Sequence, residues 1–294
     1  MTRRIVAMIL FALSVPALRA QPLSPKWEEL TAADFVRALD ASAHSCVLPF
    51  GIIEKHGPAG PLGTDLLNVR YTTLLAAADE YALVFPEYYA GQIFEAKHQP
   101  GTVAYSSHLQ LELLQETVGE MARNGCRKIM IVNGHGGNNA LLQYFAQIQL
   151  ETPKDYIVYT FSALSSGAGL STAAAPSRPG VDGHAGEGEI SNVMASRPDL
   201  AHPDRSSTQS GADLNRLVEL PEGLYTGIWW YAKFPNHYQG DSSRANAARG
   251  EATTRAAATR IAYAIRAMKR DEVGLQLQKE FFEKTSRPGN TPQR

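Results

Sequence analysis

The chain has 294 residues, enough for one large domain or two small ones. Hydrophobic residues make up 44% and charged residues 19%, the balance of an ordinary globular protein. A formal net charge of -1, without any long basic run, argues against a nucleic-acid binder.

Arg3 and Arg4 open the chain with positive charge, and Ile5 to Val15 is almost wholly apolar. Pro16 interrupts this run, and small residues follow at Ala17 and Ala20. That is the layout of a secretory signal peptide, assigned to residues 1–20. The run is too short for a permanent membrane span. The expected mature protein therefore begins near Gln21, is periplasmic or secreted, and is soluble, with one domain over residues 21–284. Cys46 and Cys126 each sit beside an apolar run. Buried thiols are expected, with the disulfide that export would permit as the alternative.

Thr31 and Asp34 read as a helix start, the helix running to about Ala41. Cys46 to Phe50 is a short buried strand that ends at Gly51. A Gly- and Pro-rich loop leads to Asp65. Leu66 to Tyr81 has helical spacing, with Leu67, Leu74, Leu75 and Ala78 on one side. Ala82 to Phe85 is a second strand, stopped by Pro86. Glu87 to Ser107 lacks periodicity and forms a long loop. Ser107 caps a helix to Asn124, ended by Gly125. A strand at Lys128–Val132, a helix at Asn139–Leu150 and a fourth strand at Tyr156–Phe161 follow. Ser162 to Val181 is a small-residue loop. A helix begins near Glu187 and stops before Pro198. An irregular stretch reaches Asp241, and Arg244 to Met268 is a long Ala-rich helix. The polar tail, residues 285–294, is expected to be disordered. Strands alternating with helices define an α/β fold whose mainly parallel sheet is covered on both faces.

In such folds the loops after the carboxyl ends of strands hold the site. Polar clusters fall at such places or at a helix start. The first is Glu54 and His56, followed by Asp65. Two residues apart on extended chain, Glu54 and His56 project to one side, roughly 7 Å apart at Cα. A carboxylate and an imidazole suit Zn²⁺ or Mn²⁺. Alone, this cluster reads better as a solvated loop. The second is His135 in Asn133-Gly-His-Gly-Gly-Asn138, where glycines permit sharp geometry and close approach of a ligand. Alone, a plain glycine turn fits equally well. The third is Asp182-Gly-His184-Ala-Gly-Glu187-Gly-Glu189. Its acids suit a first helical turn, but that gives no reason for His184 and the glycines. Together the clusters suggest metals about 3.5–4 Å apart, bridged by one carboxylate, that activate a water against a carbonyl carbon.

These segments also resemble the creatininase (creatinine amidohydrolase) family signature. Leu48-Pro-Phe-Gly-Ile-Ile-Glu-Lys-His-Gly57 resembles its "LPxGxxEqHG", Pro61-Leu-Gly-Thr-Asp65 its "PLGTD", and Pro100-Gly-Thr102 its "PGT". Asn133 to Asn138 has a form common in that family, and His184 to Ser191 resembles its "HAGExETS". The resemblance covers roughly Cys46 to Ser196. It implies a three-layer α/β/α sandwich, often assembled into hexamers, that hydrolyses C–N bonds of cyclic or linear amides. It also implies two divalent ions, Zn²⁺ or Mn²⁺, with Fe²⁺ as a third candidate. By the same resemblance Glu54 and His135 bind one metal, His56 binds the other, and Asp65 bridges them. Creatininase proper completes its second metal with a Glu two residues after the motif His, a position held here by Gly137. Glu189 is then the expected replacement, with Glu187 as the competitor. His184 and Glu187 are the expected catalytic groups. Lys55 stands where the family commonly has Gln.

The leading function is an exported two-metal amidohydrolase with a small-molecule substrate, no nucleic-acid partner and no membrane attachment after signal removal, working as a homo-oligomer. A hydrolase of a cyclic sugar-derived or lactone-like substrate, and a non-catalytic periplasmic binding protein, are the alternatives. Trp229, Trp230 and Tyr231 are candidates for a pocket lining or a subunit contact.

Overall fold

A computed structural model describes residues 23–162 and 182–293. The signal segment, residues 1–20, and nearly all of the Ser162–Val181 loop lie outside the described residues. Helix α1 (Ala32–Ala41) begins at Thr31, whose hydroxyl accepts the Asp34 N–H. Strand β1 (Ser45–Phe50) is buried throughout. Helix α2 (Thr64–Asp79) starts two residues before the expected Leu66, so Asp65 lies in its first turn, where a carboxylate is favoured by the helix dipole. Strand β2 is short (Leu83–Val84). Helix α3 (Ser107–Arg123) is capped by Ser106, not by Ser107, through the Leu109 N–H. Strand β3 (Lys128–Asn133), helix α4 (Asn138–Ile148), strand β4 (Ile157–Ser162) and helix α5 (Glu187–Ser196) follow the expected order. Within the stretch expected to be irregular stands a short helix, α6 (Trp229–Lys233). Helix α7 (Ala247–Arg270) is capped by Asn246, and a last helix, α8 (Gly274–Thr285), has no counterpart in the sequence reading. The exposed stretch after Thr285 holds one 3-10 turn, Pro288–Asn290.

The strands form one parallel sheet in the order β2-β1-β3-β4. Alternation along β1 divides the core. Cys46, Leu48 and Phe50 pack with Leu39 of α1, Leu114 and Val118 of α3 and Phe145 of α4. Val47 faces the other way, with Met130 and Val132, onto Val69 of α2 and Ile261 and Ile265 of α7. Helices therefore cover both faces, which is the three-layer α/β/α arrangement. Helix α5 lies against α2 and α7 at one end of this second layer. Its crossing with α7 is close: a Cβ at Gly250 would stand 1.8 Å from the Ser191 carbonyl oxygen. Only glycine fits there. No helix among the described residues is long and apolar enough to cross a membrane.

One expectation is corrected. Cys46 and Cys126 are not buried thiols but a disulfide, with Cα atoms 5.8 Å apart. The reason is the β1–β3 pairing. Cys46 lies opposite Ile129, and Cys126 stands just before the same strand begins, three residues ahead of Ile129. The bond closes a separation of 80 residues, which removes much chain entropy from the unfolded state. We expect the Cys46→Ala/Cys126→Ala variant to lose about 2–5 kcal/mol of stability. Urea unfolding measures this, and an unchanged midpoint would show that the bridge contributes nothing.

Candidate metal centre

The loops that leave β1 and β3 end side by side because those strands are neighbours. Gly134 N–H donates to the Phe50 carbonyl at 2.8 Å, joining the two loops where they start. In the first loop Glu54 N–H donates to the Leu62 carbonyl (3.0 Å) and Gly60 N–H to the His56 carbonyl (3.0 Å). The loop thus folds back on itself and brings Asp65 to Glu54 and His56. The residue that follows Pro100-Gly-Thr102 ties this loop down: Val103 N–H donates to the Ile53 carbonyl at 3.0 Å. In the second loop Asn133 Oδ1 accepts the His135 N–H (3.1 Å), and Asn133 Nδ2 donates to the His135 carbonyl (2.8 Å). A Cβ at Gly137 would stand 2.4 Å from His135 Nε2, so the absent side chain at this position makes room for the imidazole.

The side chains converge in the interior. Glu54 and His56 are fully buried, and Asp65 is 3% exposed. His135 Nδ1 lies 2.8 Å from Glu54 Oε1 and 2.9 Å from Asp65 Oδ2. His56 Nε2 lies 3.2 Å from Asp65 Oδ1 and 3.7 Å from Glu189 Oε2. His56 Nδ1 faces the Glu54 carbonyl at 3.3 Å, which fixes the ring with Nε2 toward the acids. His184 Nε2–H donates to the Lys55 carbonyl at 2.9 Å, leaving Nδ1 as its proton-accepting atom, 3.9 Å from Glu189 Oε2. Glu189 Oε2 accepts the Ala185 N–H at 2.6 Å.

This cluster is electrostatically costly as it stands. Burial opposes charge on Glu54, but the nearby His135 and His184 hold its carboxyl well below the usual range. Burial also disfavours charge on His56, yet Asp65 outweighs it and lifts the imidazole to about 9. His135 is raised well above its ordinary value because Glu54 and Asp65 outweigh its own burial. Burial raises Glu189, only partly offset by His184 and His56.

The donors fit divalent cations. Glu54, Asp65 and His135 offer mutually close ligand atoms, as do His56, Asp65 and Glu189, and Glu54, His56 and His184. Glu54 Oε1 and Asp65 Oδ2 are buried, and the His135 nitrogen that both approach has at most one proton to give. Two carboxylate oxygens crowded on one imidazole nitrogen are satisfied by a shared cation better than by a single N–H. Acid and imidazole together suit Zn²⁺ and Mn²⁺.

Glu54, His56, Asp65, His135, His184 and Glu189 are thus brought together. Glu187 is not. Its carboxylate lies 3.4 Å from Arg249 on α7. Two residues apart on α5, Glu187 and Glu189 are rotated about 200° from each other, so only one can face the cluster. Lys55 also turns away, donating to Gln209 Oε1 and the Asn236 carbonyl, each at 2.7 Å. His237 was missed by the sequence reading. It is 2% exposed, and its Nε2 bonds Glu54 Oε2. Trp230 Nε1–H donates to His237 Nδ1 at 2.8 Å, which sets the Nε2–H tautomer that donates to Glu54. Burial lowers His237 to about 4, consistent with a neutral ring. The available signal was a His close to a Gly, in His237-Tyr-Gln-Gly240, the pattern of the other clusters. His237 and Ala185 both adopt left-handed φ, 50° and 59°, beside the site. A cavity of about 600 Å³ opens from the cluster, lined by Glu54, His135, His184, Trp230 and His237 among others.

A parallel α/β sheet with a buried acid–imidazole cluster beyond its strand ends is the layout of a metal-binding α/β protein. A family model described as creatinine amidohydrolase matches residues 28–265, and the chain belongs to this creatininase family of metal-dependent amidohydrolases. It is similar to the mycofactocin precursor peptide peptidase of Mycolicibacterium smegmatis, 30% identical over 73% of this chain and 81% of that protein. Its fold is similar to a solved creatininase in its Mn form, with a TM-score of 0.68 and 22% identity over 84% of this chain and all of that one. A creatininase variant of Zn–Zn type gives the same TM-score and identity, over 84% of this chain and 99% of that one.

The raised imidazoles give a pH signature to the metal-free protein. His56 carries its proton in both folded and unfolded states below about 6.5, so its ion pair with Asp65 then contributes fully. That stability is lost as pH rises through about 9. His135 acts in the same direction. We expect the melting temperature in EDTA to fall between pH 6.5 and 9, and less steeply in Asp65→Asn. Equal slopes in the two proteins would contradict the pairing. Metal competes with these protons, so affinity should rise across the same window.

Proposed function

We propose that this protein is an exported two-metal amidohydrolase that cleaves a C–N bond of a small amide. One observation carries the reading: Asp65 belongs to two of the buried ligand groups, each completed by a different acid and a different imidazole. Glu54 and His135 hold one ion with Asp65, and His56 and Glu189 hold the other with Asp65. Glu189 takes the role that the family's other form gives to the residue at Gly137. Zn²⁺ and Mn²⁺ are the ions that the donors and the similar solved structures favour. Bound there, such ions supply Lewis acidity toward a carbonyl and a nucleophile at neutral pH.

The protein's own groups do the rest. His237, held by Trp230, donates to one Glu54 oxygen and leaves the other free to bind metal. His184, fixed by its hydrogen bond to the Lys55 carbonyl, takes a proton from the attacking water at Nδ1 and gives it to the leaving nitrogen. Glu187 anchors α5 to α7 through Arg249 and takes no part in the chemistry. The cavity, on the scale of pockets for drug-sized ligands, admits amides larger than a single small ring.

Metal stoichiometry after dialysis tests the assignment. Asp65→Ala should lose both ions, and Glu189→Gln one. Glu187→Gln should keep both. If Glu189→Gln retains two ions while Glu187→Gln loses one, the two acids have been assigned the wrong way round.

Export is part of the same proposal. It is supported by the Arg3-Arg4 start with its apolar run and by the Cys46–Cys126 bond, which suits an oxidising compartment. Intact mass of protein recovered from the periplasm should correspond to a chain beginning near Gln21. A chain that still carries Met1 would defeat this part.

A further inference from the structure

Beyond the metal cluster the cavity continues into a second chamber of about 580 Å³. Gln92, Glu95, Tyr225 and Trp229 line both spaces, so they stand at the junction. Trp229 Nε1–H donates to the Tyr225 hydroxyl at 3.1 Å, and the two rings lie 6.4 Å apart at their centroids. Trp229 also packs edge-on to Trp230, 5.4 Å away, and Trp230 touches His184 and His237 of the metal centre. The aromatic wall is thus continuous with the site.

Glu95 is the acid in this wall outside the metal cluster. It is half-buried, and among the described residues it makes no hydrogen bond or ion pair. Among the described residues no cation is paired with it, although Lys97 lines the same chamber. Lys97 Nζ sits over the Phe94 ring at 6.0 Å, and Arg216 sits over the Tyr231 ring at 5.2 Å. His98 Nε2–H is given to the Pro235 carbonyl at 2.8 Å. An unpaired carboxylate that shares a cavity wall with aromatic rings recognises an organic cation, by ion pairing together with attraction to the ring faces.

We propose that Glu95, with Tyr225 and Trp229, forms a second subsite for the guanidinium or alkylammonium end of an amide substrate whose scissile bond lies at the metal cluster. This rests on the amidohydrolase reading and adds the charge of the substrate to it. The aromatic part of the wall accepts the connecting chain, and Glu95 discriminates charge. A substrate whose remote end is neutral or anionic would leave this carboxylate without a partner.

The test measures binding to the metal-loaded full-length protein by tryptophan fluorescence and calorimetry. The probes are acetylarginine methylamide against its neutral isostere acetylcitrulline methylamide, and acetyllysine methylamide against acetylnorleucine methylamide. At least one cationic probe should bind about tenfold more tightly than its neutral partner. Glu95→Gln should abolish that preference while leaving the neutral probe's affinity and the metal stoichiometry unchanged. Equal affinities in both pairs, or a preference that survives Glu95→Gln, overturns the subsite. Metal content and hydrolysis of neutral amides are read separately. If charge preference fails while two ions remain bound and neutral amides are cleaved, only the subsite falls. If the protein binds no metal, the preference is read on the metal-free chain and decides the subsite alone.

Discussion

The arrangement depends on the interior packing of Glu54 and Asp65 beside His56 and His135. Carboxylates this close and this buried repel one another and lose their hydration. Interleaved imidazoles offset the cost in the metal-free protein by holding protons, which is why His56 and His135 are both raised. Divalent cations offset it in a way that protons cannot, since one cation meets several oxygens at once. The cluster is therefore a poor structural element and a good ligand set.

The surrounding architecture keeps these groups from relaxing apart. The parallel pairing of β1 with β3 sets their outgoing loops side by side, and the disulfide ties the opposite ends of the same two strands. Asn133 pins the His135 loop from within, and Lys55 ties the Glu54 loop to the segment carrying Gln209 and Asn236. The close crossing at Gly250 seats α5 against α7, and the Glu187–Arg249 pair joins the same two helices. Glu189 can then reach His56 from a rigid helical turn, as sites with defined geometry require.

The outer wall of the site comes from a different part of the chain. Residues between Tyr225 and His237 supply the aromatic rings and the imidazole bonded to Glu54. The same short segment thus orients a ligand of the inner cluster and shapes the space that a substrate enters. This couples metal geometry to substrate fit through Trp230, which bonds His237 and packs against Trp229.

The sequence by itself determined the α/β class and most of the inner cluster. Strand and helix periodicities are local, and so are the glycine-bounded motifs, whose spacing brings Glu54, His56 and Asp65 within reach along one loop. Contacts made across the fold were not legible. Cys46 and Cys126 pair only because β1 and β3 pair, and composition gives no register. His237 meets Glu54 across 183 residues, through a loop whose path no periodicity records. Helices α6 and α8 were missed because short or partly exposed helices carry a weak pattern. Glu187 and Glu189 are chemically equal in the sequence. The direction in which α5 turns each of them, one to Arg249 and one to His56, was decided by its packing on α2 and α7.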